Sequence, residues 1–400
     1  MNETPTRTPL AGLRVLEFVH MVMGPSCGLI LADLGADVIK IEAVGEGDST
    51  RRLMGSGAGF HPTFNRNKRS LAINIKDPEG LKVLHRLVAT ADAVTENFRP
   101  GVMDRLGLGY EALKGIRPDL IYCSMKGFMP GPYENRTALD EVVQMMGGLA
   151  YMTGPPGRPL RAGTSVNDIM GGMFGAIGIM AALRERDATG KGAHVQSALF
   201  ENNIFLVAQH MAQFAVTGKA ADPMPNRISA WGIYDVFITS DDEQVFLGVV
   251  SDKQWPVFCE AFGAPELAAD QSLRTNNQRV ASRETLIPVI GEICRRYSKA
   301  DLIAKCEAVG LPHAPITRPE DLYDDPHLNQ SDGLMDLHLD GNGKVTRIPS
   351  LPLAIDGKRP GVRRDLPSVG EHSRELLAEI GLEAADIDRL YASGVVSGGE

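Results

Sequence analysis

Short aliphatic and β-branched runs alternate with stretches of helical spacing through the first 125 residues, and this alternation constrains the fold more than any other feature. Residues 13–18, 37–42, 71–75, 93–97 and 120–124 read as strands. Between them, residues 25–34 have helical character and stop at Gly35, and residues 78–89 place Leu81, Leu84, Leu87 and Val88 at helical spacing. Strands that alternate with helices predict an α/β fold built on a Rossmann-like parallel sheet covered on both faces. Such sheets bind ligands in the crevice beyond the strand carboxyl ends, so the residues just after each strand are candidates for binding.

Residues 140–178 have a different texture, rich in glycine and methionine. A helix is predicted over 169–186, and it contains Gly171, Gly172, Gly175 and Gly178. Each glycine inside a helix costs about 1 kcal/mol against alanine. Four of them predict that another backbone packs very close. Residues 195–213 read as a second apolar helix, and Thr217-Gly218-Lys219-Ala220-Ala221-Asp222-Pro223 as a linker. Beyond it, runs at 232–239 and 244–250 predict a hairpin, with helices near 254–262 and 282–297. The expected organisation is a large domain over 1–216, a smaller α+β domain over 217–325, and a segment over 326–400 that returns to the large domain. That last segment holds a strand pair (335–339, 345–348) and a helix from Ser373.

Charge and composition narrow the function. With 41 basic and 50 acidic residues the net charge is −9, which argues against nucleic acid as a partner. No apolar run reaches the ~18 residues of a membrane span, and the start lacks a signal-peptide pattern, so a cytoplasmic protein without a membrane partner is expected. Cys27, Cys123, Cys259, Cys294 and Cys306 are scattered and are expected to be reduced structural thiols; no metal-ligand spacing occurs. Gly55-Ser56-Gly57-Ala58-Gly59 does not follow a strand, which speaks against a dinucleotide fingerprint. Neither a P-loop nor a Gly-x-Ser-x-Gly elbow is present.

Three groups of residues have chemical potential. Arg51, Asn67-Lys68-Arg69-Ser70, Lys76, Asn97-Phe98-Arg99-Pro100-Gly101 and Arg105 flank predicted strands. They form either a cationic rim suited to phosphates or a set of solvated turns. Asp168 opens the glycine-rich helix as an N-cap or first-turn acid. The helix dipole would keep it ionised, so the same position suits a nucleophile. Asp140 and Glu141 are either helix-start acids or an acid–base pair, although neighbouring helical residues point about 100° apart.

In their joint order these residues resemble a class III coenzyme A transferase of the CaiB/BaiF type, the family of formyl-CoA transferase and alpha-methylacyl-CoA racemase. The resemblance runs through Leu10-Ala11-Gly12-Leu13-Arg14-Val15-Leu16-Glu17-Phe18, Gly24-Pro25, Leu34-Gly35-Ala36-Asp37, Gly47-Asp48-Ser49-Thr50-Arg51, Asn65-Arg66-Asn67-Lys68-Arg69-Ser70, Glu96-Asn97-Phe98-Arg99-Pro100-Gly101, Thr189-Gly190-Lys191-Gly192 and Gly370-Glu371-His372. It implies an interlocked, ring-like homodimer. It also implies a coenzyme A thioester as substrate, with no permanently bound cofactor and no metal. The coenzyme would be held by Ile73, Lys76, Asn97, Phe98, Arg99, Arg105, Thr137 and Asp140, with Met21, Val22 and Met23 facing the thioester. Asp168 matches the catalytic nucleophile and Glu141 an assisting acid.

The implied reaction moves coenzyme A from an acyl-CoA to a free carboxylic acid through covalent aspartyl intermediates, with backbone N–H groups stabilising the oxyanion. An acyl-CoA isomerase, working by internal transfer or by racemisation, is the alternative. Leu139 stands where the racemase branch has a histidine, which disfavours racemisation. Ile228-Ser229-Ala230-Trp231-Gly232 and Val22 replace the glycine run and the glutamine of oxalate-using members, so a larger acid is expected.

Overall fold

The computed structural model describes residues 8–227, 229–339 and 343–399; Ile228 lies outside them. The chain divides into two units. One is built from the chain up to Met224 and from Pro326 onward, the other from Pro225–Asp325.

The first unit is organised by strands β1 (Arg14–Phe18), β2 (Asp37–Glu42), β3 (Lys68–Ile73), β4 (Ala93–Glu96), β5 (Ile121–Lys126) and β6 (Ala193–Ala198). Their spatial order is β3-β2-β1-β4-β5-β6, all parallel. The short strand Val396–Ser397 pairs antiparallel with β3 at the edge. Five helices cover or extend this sheet near the site: α1 (Met23–Asp33), α2 (Pro78–Val88), α3 (Asp140–Met146), α4 (Val166–Thr189) and α5 (Leu199–Thr217). Alternate strand residues are buried on opposite faces. Leu16, Ile39, Leu71 and Val94 pack with Leu84, Leu87 and Val88 of α2. Val15, Val38, Ala93 and Ile121 pack with α1 and α4 through Cys27, Leu31, Ala176 and Ile179. The chain adds strands on one side of β1 up to β3, then restarts on the other side with β4. The switch point of the sheet therefore lies between β1 and β4.

The close approach predicted from the glycines is present, and its partner is α1 of the same chain. A Cβ on Gly172 would sit 2.6 Å from the Met23 carbonyl oxygen and 2.9 Å from the Cys27 nitrogen. Backbone thus meets backbone, and α4 can hold its first turn against the loop that follows β1.

Four expectations need correction. Residues 195–198, read as helix, belong to β6; Ala193–Ala198 alternates exposed His194 and Gln196 with inward residues and pairs with β5. Lys68-Arg69-Ser70, read as a turn, opens β3, because Lys68 pairs with the buried Glu17 and Arg69, itself buried, with the half-buried Asp37. The first unit extends to Met224 rather than ending at 216, since the Met224 N–H donates to the Met152 carbonyl at 2.8 Å. Finally, α4 is long and apolar enough by length and composition alone to cross a membrane, with a mean hydropathy of 1.5. Here its glycine face packs on α1, β5 and β6.

The second unit is a three-stranded antiparallel sheet (Ile233–Ile238, Gln244–Val249, His313–Pro315) backed by helices Gln254–Ala261, Arg283–Cys294 and Lys299–Ala308. Phe237, Leu247, Trp255, Phe258 and Ile290 form its core. All five cysteines are buried free thiols.

Candidate active site

A cleft of about 540 Å³ opens at the carboxyl ends of β1, β2 and β3. Its walls are Phe18, Val19 and His20 after β1, Ile41–Val44 after β2, Ile73–Lys76 after β3, and Phe98 after β4. Buried charges fix these walls. Lys40 Nζ meets Asp48 Oδ2 at 2.8 Å and donates to the Val19 carbonyl at 3.1 Å. Glu42 accepts from the Asp48 N–H (2.8 Å), from Arg51 Nε (2.9 Å) and from Ser70 Oγ (2.8 Å). Burial pushes the Asp48 carboxyl up, but Lys40 and the hydrogen bonds from Thr50 together outweigh it and hold Asp48 at about 2.

This network removes half of the cationic rim. Lys68 is wholly buried and donates to Glu17 at 2.8 and 3.0 Å. Burial drags its pKa down to about 8. Arg66 pairs with Asp33 at 2.6 Å, Arg69 with Asp37 and Glu379, and Arg51 with Glu42. These cations are fastened inside the sheet edge, where a phosphate cannot reach them. Lys76, Arg99 and Arg105 are exposed and form no ion pair among the described residues.

Of the other candidates, Ile73, Lys76 and Phe98 line the cleft. Asn97 braces it instead: its Oδ1 accepts from the His20 N–H at 3.0 Å and its Nδ2 donates to the His20 carbonyl at 2.8 Å. That pair of bonds ties the loop after β1 to the loop after β4. The His20 ring lies 5.5 Å from Phe98, and burial lowers its pKa, so it is neutral at pH 7. Met21 is 40 % exposed with φ +63, a left-handed conformation uncommon for a residue with a side chain. Val22 and Met23 are buried, and Met23 packs against Gly171 in the second turn of α4. Thr137 is exposed, three residues before α3.

Asp168 is the third residue of α4, half-buried. The carboxylate that caps this helix belongs to Asp140, not to Asp168. Asp140 Oδ1 accepts from the Asn167 N–H at 2.8 Å and the Asp168 N–H at 3.2 Å, while Gln144 Nε2 donates to its Oδ2. The helix N-terminus is therefore already occupied by one negative charge when Asp168 ionises. Burial and then the Asp140 charge push Asp168 up to about 7, with Arg161 pulling the other way. The expectation that the helix dipole keeps Asp168 ionised is thus wrong in sign. Asp140, expected as a coenzyme contact, has both oxygens engaged within the protein. Glu141 points outward, 58 % exposed, 3.7 Å from Arg161.

Sequence reasoning missed His20, Gln144 and Arg161. His20 was findable, because it follows a strand at the switch point. Gln144 and Arg161 carry no local signal; they matter only through Asp140. Asp140→Asn keeps an oxygen for the cap and removes the charge. The ionisation of Asp168 is then expected to move about 1 unit downward, read from the acid limb of a pH–rate profile.

The chain is also similar to known proteins along nearly all of its length. The sequence profile described as CoA-transferase family III matches residues 10–373. The chain is 32% identical to the succinyl-CoA:glutarate CoA-transferase of Mus musculus, over 99% of this chain and 92% of that one. It is 34% identical to the succinate–glutarate CoA-transferase of Agrobacterium fabrum, over 95% and 98%. The crystal structure of a CAIB/BAIF family protein from Brucella suis superposes with a TM-score of 0.83 at 34% identity, covering 93% of this chain and 99% of that one.

Proposed function

The chain belongs to CoA-transferase family III, and from that premise we propose that it transfers coenzyme A from an acyl-CoA to a free carboxylic acid by way of covalent intermediates on Asp168. The observation that carries the reading is the placement of Asp168. It stands on a backbone-packed helix, one turn from Gly171, against which Met23, the first residue of α1, is seated.

An Asp168 carboxylate oxygen attacks the thioester carbonyl; the C–S bond breaks and coenzyme A leaves as thiolate, giving a mixed anhydride. The thiolate then attacks the Asp168 carbonyl and expels the first acid as its carboxylate, leaving an aspartyl thioester. The incoming carboxylate attacks that carbonyl and releases the thiolate, forming a second anhydride. Attack of the thiolate on the acceptor's carbonyl yields the new acyl-CoA and restores the Asp168 carboxylate. No step consumes a net proton, and the energy of the thioester is kept throughout. The raised pKa suits Asp168 on both sides of the cycle: it is a more basic nucleophile than an ordinary carboxylate, yet half ionised near pH 7.

The cleft would take the coenzyme, with Phe98 and Ile73 offering apolar contact and Lys76, Arg99 and Arg105 supplying charge for its phosphates. Lys76→Ala and Arg105→Ala are each expected to weaken coenzyme A binding about 10-fold, less so at high salt, in a calorimetric titration. Unchanged affinity in both would move the phosphates elsewhere.

The Mus musculus and Agrobacterium fabrum enzymes both act on dicarboxylic acids, and the acceptor here is proposed to be of that class. An acyl-CoA by carboxylic-acid matrix read by mass spectrometry tests the function. Transfer to a dicarboxylic acid, with no solvent deuterium entering the α-carbon, is the expected result. Conversion of an acyl-CoA without any acceptor would favour the isomerase instead. Leu139, 65 % exposed at the racemase histidine's position, offers no base there.

The protein is further proposed to work as an interlocked homodimer. Supporting this, Phe205, Phe214 and Val216 of α5 are 68 %, 56 % and 85 % exposed, Met173, Phe174 and Ile177 of α4 are exposed as well, and the rings of Phe174 and Phe205 lie 5.8 Å apart. An apolar surface of this extent needs a cover. Sedimentation at twice 43.1 kDa is expected, and a monomer would remove this part of the reading.

A further inference from the structure

We propose that Arg161 selects the acid, by binding a second carboxylate of the substrate while its first reacts at Asp168. The inference rests on the transferase reading and names the side chain that would give it a preference for diacids.

The backbone around Arg161 is fixed. The Leu160 N–H donates to the Ala150 carbonyl at 3.1 Å, and the Ala162 N–H donates to Gln144 Oε1 at 2.8 Å. Gln144, wholly buried, in turn bonds Asp140, whose other oxygen takes the Asp168 N–H. Three hydrogen bonds therefore connect the loop carrying Arg161 to the backbone of the nucleophile. The backbone that carries the Arg161 side chain is thereby held in register with Asp168.

Its head, by contrast, is loosely held. The only hydrogen bond of the Arg161 side chain among the described residues is Nε to the Ala162 carbonyl, 3.2 Å. Its terminal nitrogens stand 3.7 Å from Asp140 Oδ2 and 3.7 Å from Glu141 Oε2, beyond hydrogen-bond distance, and the side chain is 38 % exposed. Ion pairs of that length and exposure are weak. A carboxylate offering two parallel N–H···O bonds would displace them readily.

The site also needs this cation. Asp140, Glu141 and Asp168 already place three carboxylates on two helix starts. An acid arriving with one carboxylate is repelled, and one arriving with two more so. Arg161 is the cation that opposes this charge at Asp168, and it acts across space without touching it. A diacid would span from nucleophile to guanidinium through its carbon chain, whereas a monoacid would offer the guanidinium no second carboxylate.

The test compares glutarate with its half-amide as acceptors, in the wild-type enzyme and in Arg161→Gln and Arg161→Lys. Coenzyme A affinity, measured alongside, reports that the fold is intact. The wild type is expected to favour glutarate in kcat/KM. Arg161→Gln is expected to lower that preference 10-fold or more through the KM of glutarate, and Arg161→Lys to restore part of it. An equal loss with both acids would show a structural role and overturn the proposal, as would a preference that Arg161→Gln leaves intact. A wild type that transfers to both acids equally overturns the selection alone. A wild type that transfers to no acid overturns the transferase reading itself.

Discussion

Asp168→Asn is expected to lower the rate of CoA transfer on the order of 10⁴-fold or more, because every covalent step of the proposed cycle passes through that side chain. The amide is nearly the same size, so coenzyme A binding should survive, separating lost chemistry from lost binding. The same substitution carries an opposite effect on stability. In the folded protein Asp168 holds its proton up to about pH 7, against 3.8 for an ordinary aspartate. Between those values the folded state binds more protons than the unfolded chain, so stability falls as pH rises, and above about 7 the loss is complete. The uncharged amide of Asp168→Asn carries no such penalty. The variant is expected to melt above the wild type at pH 8, by about 2–5 °C, and to coincide with it near pH 4. Equal melting curves at both pH values would mean that Asp168 titrates as an ordinary surface acid.

Gly172→Val is expected to cost about 4 kcal/mol of stability, near the top of the usual range. The new Cβ would fall 2.6 Å from one α1 backbone atom and 2.9 Å from another, and neither can rotate away as a side chain would. The two helices must separate, and Met21–Met23 would move with α1, so transfer should fall even in molecules that stay folded. Ala181→Val, on an exposed position of the same helix, should cost only about 0.5 kcal/mol, the helix propensity of a β-branched residue. Denaturant midpoints of the two variants make the comparison. A tolerated Gly172→Val would mean that α1 and α4 are not packed backbone to backbone.

The parallel sheet was legible in the sequence because its central strands are buried on both faces and so consist of unbroken aliphatic runs, such as Val38-Ile39 and Leu71-Ala72-Ile73. The edge was not legible. β6 carries His194 and Gln196 on its exposed side, and Val396–Ser397 is too short to show a pattern. The start of β3 was hidden by charge, since Lys68 and Arg69 look like turn residues until Glu17 and Asp37 are placed opposite them. Asp168 shows the same division. Its place in the first turn of the glycine helix could be read locally. Its pKa could not, because it is raised first by burial in the fold and then by the charge of Asp140, 28 positions away in the chain. The glycines announced a close neighbour, and only the fold showed that the neighbour is α1.

In each turn of the proposed cycle Asp168 exchanges one of its own oxygens for one of the acceptor's. When the incoming carboxylate attacks the aspartyl thioester, its oxygen becomes the bridge of the new anhydride and stays on Asp168 after the thiolate takes the acyl group. The direct measurement is turnover with an acceptor acid carrying heavy oxygen in its carboxylate, in ordinary water, followed by mass spectrometry of the peptide that contains Asp168. Heavy oxygen appearing on that peptide, and only when donor and acceptor are both present, is the predicted result. Transfer that proceeds while the peptide keeps its original mass would contradict the mechanism.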